Sequence, residues 1–309
     1  MKKIIDPGKE RRSINFIDHI CYSHVRDRDG KPVDLHMSLM VQNGNSEMRL
    51  ASGRDDEVST GRLPVLVWIN GAGWHDVPKN MMAAEMQFLA EAGYAVAFIH
   101  YRGTELSSWP AQLIDCKTAV RFLRANADKY SLDPARIGVI GRSAGGHLSA
   151  WMAMNTDGFD TDEWAGYSSR ISAAVDMFGP TILPEAFAHD QYMIDTIPNY
   201  RWKDISEGHG GKLIGGDMAT MVERSRAASS DAFINGSMSP LMILHGDQDP
   251  LVPLSISEHF YDKLVAAGLE DRTEFYVIKN GGHGTREFFQ LSVRKLIIEF
   301  FDRALKEKN

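Results

Sequence analysis

Short apolar, β-prone runs alternate with stretches of helical periodicity along most of this chain, and no other feature constrains its fold as much. Strands separated by helices pair in parallel through right-handed crossovers. The pattern therefore predicts an α/β architecture, a mostly parallel central sheet with helices on both faces. Strands are expected at residues 64–69, 95–101, 137–140, 171–178, 240–244 and 273–278. Helices are expected at 81–92, from Pro110 to about Tyr130, at 146–154 and, amphipathic, at 285–305. The first β-prone runs, 20–24 and 33–41, instead flank Arg28-Asp29-Gly30, a turn whose glycine can take positive φ, and are expected to form an antiparallel N-terminal hairpin.

Two segments break the alternation. Residues 53–61 read as a polar link. Residues 181–236 carry Pro184, Pro198, His209-Gly210-Gly211 and Gly215-Gly216 between short helical pieces. They are expected to be a lid or substrate-binding insertion within one domain spanning 1–309, a loosely packed surface excursion being the alternative. With 309 residues, 43% of them hydrophobic, the chain is long enough to build one large α/β unit.

Charge and hydropathy narrow the partners. The formal charge is −7 and the positive residues form no tract, so no nucleic-acid partner is expected. No apolar run nears the roughly 18 residues of a membrane helix, so no membrane partner is expected either. Residues 1–12 lack the apolar stretch of a signal peptide. The expected compartment is the cytoplasm, or a secreted or periplasmic location if a leader has been removed. Cys21 and Cys116 are far apart in sequence and are expected to be reduced and structural.

The chemistry concentrates where strands end. Gly141-Arg142-Ser143-Ala144-Gly145 follows one strand directly and leads into a helix, which is the context of a nucleophile elbow. Its glycines clear room around a serine held in a strained turn. A G-x-S-x-G alone would arise by chance on the order of one time in six in such a chain, so its placement carries the weight. Serine needs a base, and the base needs an orienting acid. The strand ending at Leu244 runs into His245-Gly246-Asp247-Gln248-Asp249-Pro250, and the last strand runs into Gly281-Gly282-His283-Gly284. Ser143 is thus the candidate nucleophile, His283 the base, and Asp247 or Asp249 the acid. His147 is expected to pack or hydrogen-bond beyond the elbow and His245 to shape the acid loop. Metal binding by His245, Asp247 and Asp249 is the minor alternative, since no further ligand cluster completes a coordination shell. The oxyanion would be held by the N–H of Ala144 and by Ala72 and Gly73 in Asn70-Gly71-Ala72-Gly73-Trp74, which follows the strand at 64–69. An ordinary glycine turn is the alternative reading of that loop.

Residues 64–309 resemble the esterase and lipase branch of the α/β-hydrolase superfamily, most closely its acetylxylan and feruloyl esterase group. The matching stretches include residues 65–74, Tyr101-Arg102, Trp109-Pro110-Ala111-Gln112, Asp115, Asp133-Pro134, residues 141–148 and 175–180, and Ile214-Gly215-Gly216. The motifs around Asp249 and His283 complete the resemblance, with serine, acid and histidine in the order of that superfamily. It implies an α/β-hydrolase fold, an acyl-enzyme mechanism without metal or organic cofactor, and a triad acid immediately before Pro250-Leu251-Val252-Pro253. That acid is Asp249, which leaves Asp247 to cap or brace the loop. The chain departs from the group's usual His-Gly-Gly-Gly-Trp, having Asn70 for the histidine and Ala72 for the middle glycine.

The resemblance implies esters of acetyl or hydroxycinnamoyl groups on plant-polysaccharide fragments, and thus a small-molecule or oligosaccharide ester as partner. Trp74, Tyr200 and Trp202 are expected to bind substrate by stacking on a sugar or aromatic acyl group, unless each is a core aromatic. A small-molecule carboxylesterase or arylformamidase-like amidase would use the same triad. A non-catalytic binding protein on this fold is the third reading.

Overall fold

A computed structural model describes residues 2–5, 13–42, 61–216 and 220–306. The polar link at 53–60 and residues 6–12 of the N-terminal stretch lie outside the described residues. Eight strands form one sheet: β1 (Ile14–Arg26), β2 (Pro32–Gln42), β3 (Leu63–Ile69), β4 (Ala95–Ile99), β5 (Leu132–Arg142), β6 (Ala173–Met177), β7 (Leu241–Gly246) and β8 (Thr273–Ile278). Their order is β1-β2-β4-β3-β5-β6-β7-β8. The β1–β2 and β2–β4 pairs are antiparallel and all others parallel. This is the α/β-hydrolase fold.

Every residue of β3 is buried, as a parallel strand covered on both faces must be. Its alternation divides the core. Val65, Val67 and Ile69 face one side, with Leu113 and Leu123 of α2 (Ala111–Ala125), Trp151 of α3 (Ala144–Ala153) and Phe260 of α7 (Leu254–Ala266). Leu66 and Trp68 face the other, with Met86 and Leu89 of α1 (Ala83–Glu91) and Ile297 and Phe301 of α8 (Leu291–Leu305). Each such side chain taken fully out of water stabilises the fold by about 1.5–3 kcal/mol.

Between β6 and β7 lie α4 (Leu183–Thr196), α5 (His209–Ile214) and α6 (Met221–Ala227) with two short 3-10 turns. They occupy the region where the sequence pattern breaks.

Strand and helix ends differ from the sequence reading for identifiable reasons. Strand β5 begins at Leu132 rather than 137 and includes Pro134, which its pairing with β3 accommodates at a register shift between Leu63 and Val65. The expected helix 285–305 divides at Gln290, whose ψ of 154° is extended, into a 3-10 turn and α8. Phe288 of that turn is buried, its ring centroid 4.7 Å from that of Phe178, and packing overrides helical propensity there. The hairpin turn matches its reading, with Gly30 at φ 81° and the Asp27 carboxylate accepting from the N–H groups of Asp29 and Lys31.

Candidate active site

Four loops at C-terminal strand ends converge, as ligand sites in such sheets do. Ser143 follows β5 at φ 53°, a left-handed conformation that L-residues adopt at a cost of about 1–3 kcal/mol. The elbow glycines explain how the turn is tolerated. A Cβ on Gly141 would lie 2.2 Å from the Gly145 carbonyl oxygen, and one on Gly145 would lie 2.0 Å from the oxygen of Ile69. The loop after β3 therefore sits directly against the elbow.

Ser143 Oγ lies 2.8 Å from His283 Nε2, and His283 Nδ1 lies 2.7 Å from Asp249 Oδ2. With Nδ1–H donating to the carboxylate, Nε2 is left as acceptor for the serine proton. The side chain of Asp249 is wholly enclosed. Burial pushes its carboxyl up, but hydrogen bonding with His245 and His283, the charge of His283 and the Val252 N–H together hold it well below the usual carboxylate range. Asp249 Oδ1 accepts from the N–H groups of Leu251 and Val252 at 2.8 and 3.0 Å.

Asp247 has a different position. Its Oδ1 accepts from Asn280 N at 2.7 Å while its own N–H donates to Ile278 O, so it joins the acid loop to the histidine loop. His245 is fully buried, with Nε2 on Val252 O at 2.9 Å and Nδ1 on Ser257 Oγ at 2.7 Å, bracing the turn that holds Asp249.

In the loop after β3, Ala72, Gly73 and Trp74 have φ values of 80°, 60° and 59°. The N–H groups of Ala72 and Gly73 donate to no acceptor among the described residues. Ala144 opens α3, where backbone N–H groups lack intrahelical partners. Asn70 is a buried brace: its Oδ1 accepts from Trp68 Nε1 at 2.9 Å and its Nδ2 donates to Lys79 O at 2.8 Å.

These groups open onto a cavity of about 340 Å³. Phe178, Leu183, Phe187 and Leu251 give it apolar wall, and Asp190, Tyr200, Arg201, Trp202 and His209 bring polar and aromatic groups from the segment between β6 and β7. Burial raises the Asp190 carboxyl to about 6. Tyr200 and Trp202 both line the cavity, with ring centroids 5.6 Å apart, and the Arg201 guanidinium lies 4.2 Å from the centre of the Trp202 ring. Trp74 also reaches the wall, but is only 3% exposed, and its indole N–H donates to His147 Nδ1 at 3.2 Å. It is committed mainly to the core. His147 donates from Nε2 to Ala228 O at 2.7 Å, and burial lowers its pKa to about 4.

One relay of side chains escaped sequence reasoning. Glu105 holds His75 Nδ1, whose Nε2 lies 2.9 Å from His209 Nδ1. His209 stands so close over Gly73 that a Cβ there would lie 2.4 Å from its ring. Burial first, then the nearby Arg201 charge, lower the His209 pKa to about 4. The three residues come from separate segments, and no local motif announces them.

Beneath the elbow, Asp176 is fully buried, with one oxygen accepting from Gly179 N and the other lacking a partner among the described residues. Burial raises its pKa from 3.8 to about 7. The folded protein thus retains a proton that the unfolded chain releases, so this group's contribution to stability declines as pH rises from about 4 to 7. Asp176→Asn removes the ionisation. The Tm of the variant relative to wild type is expected to climb by several degrees between pH 5 and pH 8; a difference constant with pH would refute a buried neutral carboxyl.

Fold and site together define an α/β-hydrolase with a serine–histidine–aspartate triad. The sequence matches the family described as BD-FAE over residues 55–264, and the chain belongs to that family. Esterase LipC of Mycobacterium tuberculosis is 26% identical over 261 residues, covering 81% of this chain and 60% of that protein. Esterase LipQ of the same organism is 28% identical over 233 residues, covering 73% and 51%. The chain thus spans about half to three-fifths of the length of these relatives. Among solved structures, a truncated form of a carbohydrate esterase from gut microbiota is similar at a TM-score of 0.75 and 25% identity, covering 97% of this chain and 99% of that one. A thermophilic esterase of Thermogutta terrifontis with butyrate bound shares the fold at a TM-score of 0.68 and 22% identity, over 97% of both chains.

Proposed function

We propose that this chain is a serine carboxylic-ester hydrolase acting through an acyl-enzyme, and that it takes acetyl or feruloyl esters of short plant-polysaccharide fragments. The observation that carries the chemistry is the unbroken hydrogen-bonded line from Asp249 through His283 to Ser143 at 2.7 and 2.8 Å, opening on a lined cavity. Ser143 Oγ attacks the ester carbonyl as its proton passes to His283 Nε2, with Asp249 stabilising the imidazolium. The N–H groups of Ala72, Gly73 and Ala144 receive the oxyanion. His283 then protonates the departing alcohol, and water repeats the sequence to release the acid.

The substrate class rests on the aromatic and polar strip of Asp190, Tyr200, Arg201 and Trp202, which suits a hydroxylated ring, and on the similarity to a protein described as a carbohydrate esterase. Residues 181–236 act in this reading as the substrate-binding insertion. A cavity of about 340 Å³ holds an acyl group and a short alcohol. The same size favours a small-molecule carboxylesterase as the second reading.

Turnover of acetylated xylo-oligosaccharides, methyl ferulate and p-nitrophenyl acetate separates the two. Activity confined to the last would end the polysaccharide reading. Trp202→Ala is expected to raise KM for the sugar or feruloyl esters by about three- to tenfold with little change in kcat, the loss of one stacking surface. An unchanged KM would remove Trp202 from the binding site.

A further inference from the structure

The N-terminal hairpin carries a second constellation, remote in sequence from the triad. In β1, Cys21-Tyr22-Ser23-His24 places a thiol and an imidazole three residues apart, and in β2, Asp34-Leu35-His36 places a carboxylate and an imidazole two apart. Three-residue spacing in a regular strand would send Cys21 and His24 to opposite faces. A register shift between Cys21 and Ser23 corrects this. Cys21 pairs with His36, Ser23 with Leu35, and His24 with Asp34. Glu163 holds the bulge in place, its carboxylate accepting from His24 N at 2.9 Å and from the Ser23 hydroxyl.

Leu35 and Met37 point into the core, so Asp34 and His36 share the outer face with their partners Cys21 and His24. Cys21 Sγ lies 4.0 and 3.8 Å from the two ring nitrogens of His24, and His24 Nδ1 lies 2.7 Å from Asp34 Oδ1. One donor atom from each of the three lies within 4.8 Å of the others. A tetrahedral zinc shell spaces its donors by roughly 3.2 to 3.8 Å, so small side-chain rotations close the set.

We propose that Cys21, His24 and Asp34 form a three-residue binding site for a zinc-class divalent cation, with solvent completing the tetrahedral shell. Thiolate and imidazole select a borderline-soft metal over magnesium or calcium, and the carboxylate supplies a further anionic donor. Binding displaces the Cys21 thiol proton to solvent and ties strand β1 to strand β2, so the cation stabilises the hairpin and the sheet it extends. The site does not depend on the ester chemistry.

The test uses the full chain, stripped with chelator and kept reduced with a phosphine, titrated with Co(II). The wild type is expected to develop the intense near-ultraviolet absorption of a cobalt–thiolate bond, removed by one equivalent of Zn(II). Cys21→Ser is expected to abolish that band and to weaken zinc binding by at least about tenfold, and His24→Ala to weaken it similarly. Both Cys21→Ser and His24→Ala alter partly or fully exposed side chains, and thermal melts in chelator show whether each variant folds. No thiolate band in the wild type, or zinc affinity unchanged in a folded Cys21→Ser/His24→Ala double variant, overturns the proposal.

Discussion

Ser143→Ala is expected to lower ester turnover by at least about 10³-fold while leaving the melting temperature close to that of the wild type. The hydroxyl is the atom that bonds to the substrate carbonyl, and its Oγ is the group 2.8 Å from His283 Nε2. The fold has little stake in it, because the backbone carries the turn: Ser143 N donates to Met177 O at 2.8 Å, and its carbonyl accepts from His147 N. Labelling by a fluorophosphonate should follow the same pattern, present in the wild type and absent in the variant. Near-normal rates in the variant would mean a different nucleophile. A folded wild type that never labels would support the binding-protein reading.

Asp249→Asn is expected to cost about 10³ to 10⁴ in turnover, because an amide facing His283 Nδ1 can donate as well as accept, favouring the tautomer with Nδ1 unprotonated. That tautomer places a proton on Nε2, where the serine proton must go. Asp247→Asn is expected to cost less than about tenfold, since its Oδ1 accepts only the backbone N–H of Asn280, and an amide oxygen can do the same. Parallel kcat measurements on the two variants decide between the carboxylates. A larger loss from Asp247→Asn would reverse their roles.

The comparison of these two acids shows what the sequence could and could not convey. Each triad group lies in the loop at a strand's C-terminal end, Ser143 immediately after β5, Asp249 three residues beyond β7 and His283 five beyond β8. A buried apolar run leading into a loop with serine, acid or histidine is therefore a local signal, and Ser143 and His283 could be placed from it. Asp247 and Asp249 share one loop, and their difference is one of direction: one carboxylate turns to the backbone of Asn280 and the other to His283. Only the resemblance to known esterases separated them beforehand. The strands were legible because short apolar, β-branched runs bounded by turns are a local signal, whereas the longer β5 depends on a register shift against β3, and the interruption at Gln290 on where Phe288 packs.

Contacts between distant segments were out of reach in the same way. His209 meets His75 and Gly73 only because α5 folds back over the loop after β3. Cys21 and His24 stand at C-x-x-H spacing, but a regular strand would put their side chains on opposite faces, and only the bulge brings them to one.

The seating of His209 on Gly73 bears on engineering. Segments beside an esterase cavity are natural targets for exchange between relatives, on the assumption that they tune only which alcohol or acyl group is admitted. Here the exchangeable piece abuts the backbone that would neutralise charge at the carbonyl oxygen, so a transplanted segment would alter kcat along with selectivity unless the imidazole at 209 and its partner at 75 travel together.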